Sequence, residues 1–402
     1  MKNSESATLR SSTILSERKK KGLKIYNAGL GANPIKQHSA LINTLIKYSN
    51  NKEYISPSGI EELNQKINKK YSTKYALVGN GLKELIFTLL VGWKYEVLLV
   101  TPCWVSYIEQ TKILNRKTYF IETKMQDNFK LNDILLEKTI TNINNNKPKL
   151  LFLNNPTNPT GAVYSVKELE NIAKVCKKHD IIVFSDEIYM DITHNNINTI
   201  SFNKLYKKTI TGSSLSKNFA CGGYRVGWLT FTKELKELYD QLHIIASSTY
   251  SCASHCLQNV ASEALNYDES MINYLKKQRD IFTNISILVY NKFKYLNIKT
   301  SIPMGGWYIF IDLNKFKEKF LKNNINNDIE LAERLINDIG LITVSGSNFG
   351  YQGYYLRFSI VDINFKNNDN NIENKSEFDY NFMAKRIVKG IEELNKWLIK
   401  LK

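Results

Sequence analysis

Four side chains of different chemistry each follow a short β-type run in this chain. Trp104 follows Val97-Leu98-Leu99-Val100, and Asn158 follows Leu150-Leu151-Phe152-Leu153. Asp186 follows Ile181-Ile182-Val183-Phe184, and Lys217 follows Thr209-Ile210-Thr211. Ligands of an open α/β sheet bind beyond the carboxyl ends of its strands, so these residues converge on one edge. Taken singly, each has a plain reading as a core Trp, a turn Asn, a helix-capping Asp or a surface Lys. Together they suit pyridoxal-phosphate chemistry. A lysine amine condenses with the aldehyde, a carboxylate keeps the pyridine nitrogen protonated, a flat ring stacks on the cofactor, and amide or hydroxyl groups bond its phenolic oxygen. The phosphate calls for backbone N–H groups at a helix start and an arginine. Val78-Gly79-Asn80-Gly81-Leu82-Lys83-Glu84, a Gly-bearing turn ahead of the helical pattern Leu85 to Val91, offers the first, and Arg225 offers the second.

The elements that must position these groups lie between residues 75 and 232, where short apolar runs alternate with longer helical patterns. Continuous apolar runs predict strands covered on both faces, and the alternation predicts βαβ units around a mostly parallel sheet. Gly227-Trp228-Leu229-Thr230-Phe231 is a further run. Lys167 to Lys178 is a representative connecting helix, with Leu169, Ile172, Ala173 and Cys176 at helical spacing. After about residue 300, strands such as Trp307 to Leu313 alternate with amphipathic helices such as Ile329 to Leu341. The expected organisation is a basic polar extension over 1–24, a large α/β domain over 49–298, and a smaller α+β domain built from 25–48 and 299–402. Asparagine-rich patches at Asn142 to Asn146, Asn323 to Asn327 and Asn367 to Asn374 read as solvated loops, the last as a surface insertion.

Composition narrows the function classes. The chain has 402 residues, 43% hydrophobic and 23% charged, and a formal net charge of +17. No apolar run reaches the roughly 18 residues of a membrane helix, which argues against an integral membrane protein. Five cysteines, an odd number, with no apolar signal sequence ahead of them, argue against a disulfide framework and for a reducing, cytoplasmic setting. Cys252 and Cys256 lack a second Cys/His pair, so no metal site is expected. The lysine excess around Lys66 to Lys74 and Lys315 to Lys322 lacks the aromatic interleaving that tracks a nucleic-acid strand. It reads as surface bias, with no nucleic-acid partner.

Asn155-Pro156-Thr157-Asn158-Pro159-Thr160-Gly161, Ser185-Asp186-Glu187-Ile188-Tyr189, Ser214-Leu215-Ser216-Lys217 and Gly223-Tyr224-Arg225-Val226-Gly227 occur in that order. With them the sequence resembles the class I/II aminotransferases, the aspartate aminotransferase-like branch of fold-type I pyridoxal-phosphate enzymes, from about Ile25 to the C-terminus. The resemblance implies Lys217 as the Schiff-base and proton-shuttle residue and Asp186 on the pyridine nitrogen. It implies Tyr189 and Asn158 on the phenolic oxygen, and Trp104 stacked on the ring. Ser214, Ser216, Arg225 and the amides of Gly81, Leu82 and Lys83 would hold the phosphate. Tyr54, in Tyr54-Ile55-Ser56-Pro57-Ser58-Gly59, would reach the phosphate of a second subunit, implying a homodimer. Arg357, in Tyr355-Leu356-Arg357-Phe358-Ser359, would grip the substrate α-carboxylate, and Gly31, in Gly29-Leu30-Gly31, lies in the loop that closes over it. Met304-Gly305-Gly306-Trp307-Tyr308 and Gly346-Ser347-Asn348-Phe349-Gly350 resemble two further signatures.

Three positions depart from the pattern. Leu82 replaces a small residue at the phosphate turn, and Cys103 replaces an aromatic beside Trp104, an exchange expected to widen the pocket. Gly92-Trp93-Lys94-Tyr95-Glu96 replaces the usual turn ahead of Val97. The implied reaction is ping-pong transamination between an L-amino acid and a 2-oxo acid. Other fold-type I chemistries (C–S β-lyase, α-oxoamine synthase, decarboxylase) would use the same constellation. A regulator with a degenerate aminotransferase domain would need a DNA-binding domain ahead of the fold, for which Met1 to Lys24 is too short.

Overall fold

Side chains that alternate between two cores build the central sheet. In Lys149–Asn154, Leu150 and Phe152 enter one apolar cluster while Leu151 and Leu153 enter the cluster on the opposite face. In Glu96–Thr101, Val97 and Leu99 likewise point away from Leu98. Period-two alternation with both faces buried is why these strands read as unbroken apolar runs. The chain is seen in a computed structural model that describes residues 7–143 and 145–401; the first six residues of the N-terminal extension and Asn144 of the first asparagine patch lie outside the described residues.

Strands are numbered in chain order: β1 Tyr26–Asn27, β2 Tyr75–Gly79, β3 Glu96–Thr101, β4 Thr118–Glu122, β5 Lys149–Asn154, β6 Ile182–Asp186, β7 Thr209–Ser214, β8 Gly227–Phe231, β9 Lys299–Thr300, β10 Tyr308–Asp312, β11 Leu341–Ile342, β12 Val344–Ser345 and β13 Tyr355–Ser359. The large sheet runs β2-β8-β7-β6-β5-β3-β4. β4, β3, β5, β6 and β7 pair in parallel, and only the β7–β8 and β8–β2 pairs are antiparallel. A separate antiparallel sheet runs β12-β13-β10-β9, and β1 near the N-terminus pairs in parallel with β11. The helix Val166–Lys178 connects β5 to β6. Its start is fixed by a capping box in which Ser165 and Glu168 bond each other's backbone N–H.

Four readings from sequence need correction. β2 and β4 are absent from the expected runs. β4 is an edge strand with a single buried residue, Ile121, so it shows no apolar run. Val78 and Gly79, read as part of a turn, are the end of β2; the turn itself is Asn80-Gly81. The N-terminal extension forms a helix over Ala7–Lys20 with Leu15 buried, a pattern too weakly amphipathic to be legible. The asparagine-rich segment after Asn367 is docked on the chain rather than solvated throughout. Ile372 is fully buried, Asn370 Nδ2 donates to the Pro34 carbonyl at 2.7 Å, and Glu373 accepts from Ser39 N–H at 2.9 Å.

Candidate active site

Asp186 ends β6, where the strand releases the chain and its side chain reaches the carboxyl edge of the sheet. Its carboxylate accepts a hydrogen bond from the Tyr107 hydroxyl and one from Ile188 N–H at 3.1 Å. Burial pushes the Asp186 carboxyl up to about 6, against these bonds and the charge of Lys217. Burial also pushes the neighbouring Glu187 up to about 7, although Ser201, Ser185 and Phe202 N–H all donate to it.

A carboxyl raised on folding stays protonated where the unfolded chain has already ionised. Its contribution is therefore complete at low pH and is lost as pH rises through the folded value. For Asp186 this amounts to roughly 3 kcal/mol between about pH 4 and pH 6. In ligand-free protein, Asp186→Asn should gain thermal stability relative to the parent on passing from about pH 5 to about pH 8. A Tm difference between the two that does not move with pH would contradict the buried, proton-holding state of Asp186.

Lys217 follows β7 through Leu215 and Ser216. Its ammonium donates to the Gly31 carbonyl, and its own carbonyl accepts from Asn33 Nδ2 at 2.9 Å. Burial lowers the Lys217 pKa, with Arg357 and Arg225 acting in the same direction and Tyr308 and Asp186 opposing. The net effect moves the amine towards the neutral, nucleophilic form.

Arg357 lies in β13 and is 1% exposed. One terminal nitrogen donates to the Gly29 carbonyl at 2.6 Å and the other to Asn158 Oδ1 at 3.2 Å. The guanidinium sits 4.5 Å from the Tyr308 ring centroid and 5.2 Å from that of Phe349. Asn158 is placed in turn by its N–H, which donates to Asn154 Oδ1 at 2.7 Å. The loop Gly29–Asn33 thus ties together the amine of Lys217 and the fork of Arg357.

At the other end of the site the helix Leu82–Gly92 begins. Its N-cap, Gly81, has φ +91°, and a Cβ there would overlap the Arg225 guanidinium. Arg225 donates to the Gly222 carbonyl at 2.9 Å and the Asn80 carbonyl at 3.2 Å. Free N–H groups at a helix start beside an arginine form an anion cradle. Gly81→Ala combines a disfavoured φ with displacement of Arg225, so it should weaken binding of a phosphate-bearing ligand by at least about tenfold. Titrating the ligand-free variant with pyridoxal phosphate measures this; unchanged affinity would remove the cradle. Leu82 resolves the first departure, since its side chain packs beside Phe184 and Gly212 in the core while its N–H stays at the helix start. Cys103 is buried in the same core and is not among the residues that line the cavity.

A cavity of about 450 Å³ joins these groups. Of the predicted residues, Gly31, Leu82, Lys83, Trp104, Asn158, Asp186, Tyr189, Ser216, Lys217, Arg225 and Arg357 line it. Gly81 stands behind Arg225, and Ser214 is buried at the end of β7, accepting from Ser216 N–H at 3.1 Å. Tyr54 is not brought in: it is 89% exposed and outside the cavity. Sequence reasoning missed Tyr107, Asn154, Asn33 and Tyr308 as site residues. Asn154 is the last residue of β5, and Tyr107 lies in the first turns of the helix Val105–Ile113 that follows β3, so the strand-end criterion was able to find both. Asn33 and Tyr308 come from distant segments and carry no such signal. The Lys83 side chain also faces the cavity, its ammonium 5.3 Å from the Trp104 ring centroid.

The family model described as aminotransferase class I and II matches residues 27–373. The chain is 30% identical over 313 residues to the asparagine–oxo-acid transaminase of Streptococcus mutans, covering 74% of this chain and 76% of that protein. It is 31% identical over 323 residues to a probable aspartate/prephenate aminotransferase of Rickettsia conorii, covering 75% and 78%. Among solved structures, the aspartate aminotransferase of Thermus thermophilus with maleate matches with a TM-score of 0.81 and 22% identity over 96% of this chain and 97% of that one. At that identity the likeness establishes the fold, which is fold type I.

Proposed function

The chain belongs to the class I and II aminotransferases and is a transaminase, and on that premise we propose that it works with pyridoxal phosphate in a ping-pong reaction between an L-amino acid and a 2-oxo acid. The residues fit this cofactor. Asp186 is a buried carboxylate with no cationic hydrogen-bond partner among the described residues, as a pyridinium partner requires. The space a Cβ would fill above Gly81 lies beside Arg225 and a helix start, which suits a phosphate. When bound, pyridoxal phosphate supplies an aldehyde for imine formation and a cationic ring that accepts electron density from the substrate Cα.

The chain's own residues do the rest. Lys217 would supply the amine that holds the aldehyde and, when free, would carry the proton between the substrate Cα and the carbon that bore the aldehyde. General acid–base transfer of this kind contributes on the order of 10²–10⁴-fold. Asp186 holds a proton on the ring nitrogen, Tyr189 and Asn158 orient the ring's oxygen edge, and Trp104 covers its face. Ser214, Ser216, Arg225 and the amides of Gly81, Leu82 and Lys83 anchor the phosphate. Arg357 presents a planar fork to the α-carboxylate, with Gly31 in the loop above it. Tyr54, exposed on a single chain, suits a role in the site of a second copy, which makes the working unit a homodimer.

One observation carries this reading. Lys217 and Arg357 both bond to carbonyls of the Gly29–Gly31 stretch, so an amine and a carboxylate-binding fork face one small space. A panel of amino donors against 2-oxoglutarate and pyruvate tests it. The panel begins with aspartate and asparagine, which appear in the relatives' names, and includes aromatic donors and alanine. Stoichiometric 2-oxo acid formation that depends on the acceptor is the expected result. Acceptor-independent release of ammonia, thiol or carbon dioxide would replace transamination by a lyase or decarboxylase reaction.

A further inference from the structure

We propose that Tyr308 is a positioning residue of this site, one side chain that fixes Tyr189 through its hydroxyl and Arg357 through its ring. The inference rests on the function proposed above, with Tyr189 at the cofactor and Arg357 at the substrate carboxylate.

Tyr308 opens β10 and is 1% exposed. In the β10–β13 register Phe310 stands opposite Arg357, so Tyr308, two residues earlier, shares its face as the diagonal neighbour. That geometry lays the Tyr308 ring against the guanidinium at 4.5 Å, a cation–π contact strengthened by burial. At the far end of the ring, the Tyr308 and Tyr189 hydroxyls are 2.9 Å apart, with the rings edge to face. The hydroxyl occupies the place a Cβ on Gly31 would take, and Lys217 Nζ lies 3.8 Å from the same point. Gly31 is therefore required by Tyr308, whose hydroxyl any side chain there would displace.

The titratable and charged groups facing the Tyr308 hydroxyl are Tyr189 after β6, Lys217 after β7 and Arg357 on β13; the Gly29–Gly31 stretch offers only backbone. Burial works to raise the Tyr308 pKa, but Lys217, Arg357 and the bond to Tyr189 outweigh it and bring it below the usual phenol value. A phenol acidified in this way favours the protonated state of the nitrogen on Lys217. Removing only its oxygen should disfavour that state and leave the ring on Arg357.

The test compares Tyr308→Phe and Tyr308→Leu as holoenzymes. In Tyr308→Phe the KM for the amino donor should stay near the parent value and kcat should fall about tenfold. The pH midpoint of the visible band of lysine-linked cofactor should fall by about half a unit or more. Tyr308→Leu, which also loses the ring, should in addition raise KM by about tenfold. A midpoint and kcat unchanged in Tyr308→Phe would overturn the proposal, as would a rise in KM equal to that of Tyr308→Leu. If the parent itself shows no titrating visible band, it is the cofactor reading of Lys217 that fails instead.

Discussion

Lys217→Ala is expected to lower transamination by at least about 10⁴-fold and to abolish the visible band of lysine-linked cofactor. The magnitude follows from asking one side chain to provide both the covalent attachment and the proton transfer at Cα. No other amine among the described residues is placed to substitute. The Lys83 ammonium also faces the cavity, but it is drawn to the face of Trp104, with Glu109 close enough to influence its charge. The alanine variant should still bind pyridoxal phosphate, because Arg225, the helix start at Leu82 and Asp186 are untouched. The check is a paired measurement of donor half-reaction rate and absorbance on the same preparation. Substantial turnover with the visible band retained would remove Lys217 from the reaction.

Arg357→Leu is expected to lower kcat/KM for both amino acid and 2-oxo acid by about 10²–10³-fold, with cofactor affinity little changed. Losing one partner of a buried, charge-assisted contact costs roughly 3–4 kcal/mol. The guanidinium is buried and bonded to two neutral acceptors, Gly29 O and Asn158 Oδ1. Its buried Nε–H has no hydrogen-bond partner among the described residues. A substrate carboxylate is the group that would balance this charge. Arg357→Lys serves as the control, since it keeps the cation but loses the bidentate fork. Its kcat/KM should lie between those of the leucine variant and the parent. An Arg357→Leu variant with normal kcat/KM for every α-amino acid tested would place the carboxylate elsewhere.

The two variants probe opposite ends of what was legible. Asp186, Asn158, Trp104 and Lys217 announce themselves because each follows an apolar run, and a parallel sheet delivers such residues to one edge whatever its other details. Arg225 and Gly81 are nearly as legible. A glycine turn before a helical pattern is mostly an ordinary turn and points to an anion site only in company with an arginine, and the structure adds that Arg225 itself excludes a Cβ at that position. Arg357 came through resemblance, since nothing local distinguishes a strand arginine destined for full burial from one destined for solvent.

Periodicity and local turn chemistry are enough to specify the inner parallel strands β3, β5, β6 and β7, their two-sided core and the residues their ends deliver, though not the edge strands β2 and β4. They do not specify that the Gly29–Asn33 loop meets Lys217 and Arg357, or that Tyr308 touches Tyr189, Arg357 and the edge of Gly31. Nor do they specify that the asparagine-rich segment folds back on residues 34–39. Each of these joins segments far apart in the chain through one or two hydrogen bonds or a ring face. Such contacts leave no period in the sequence. They exist only once burial of the two apolar faces has brought those segments together and excluded the water that would otherwise satisfy them.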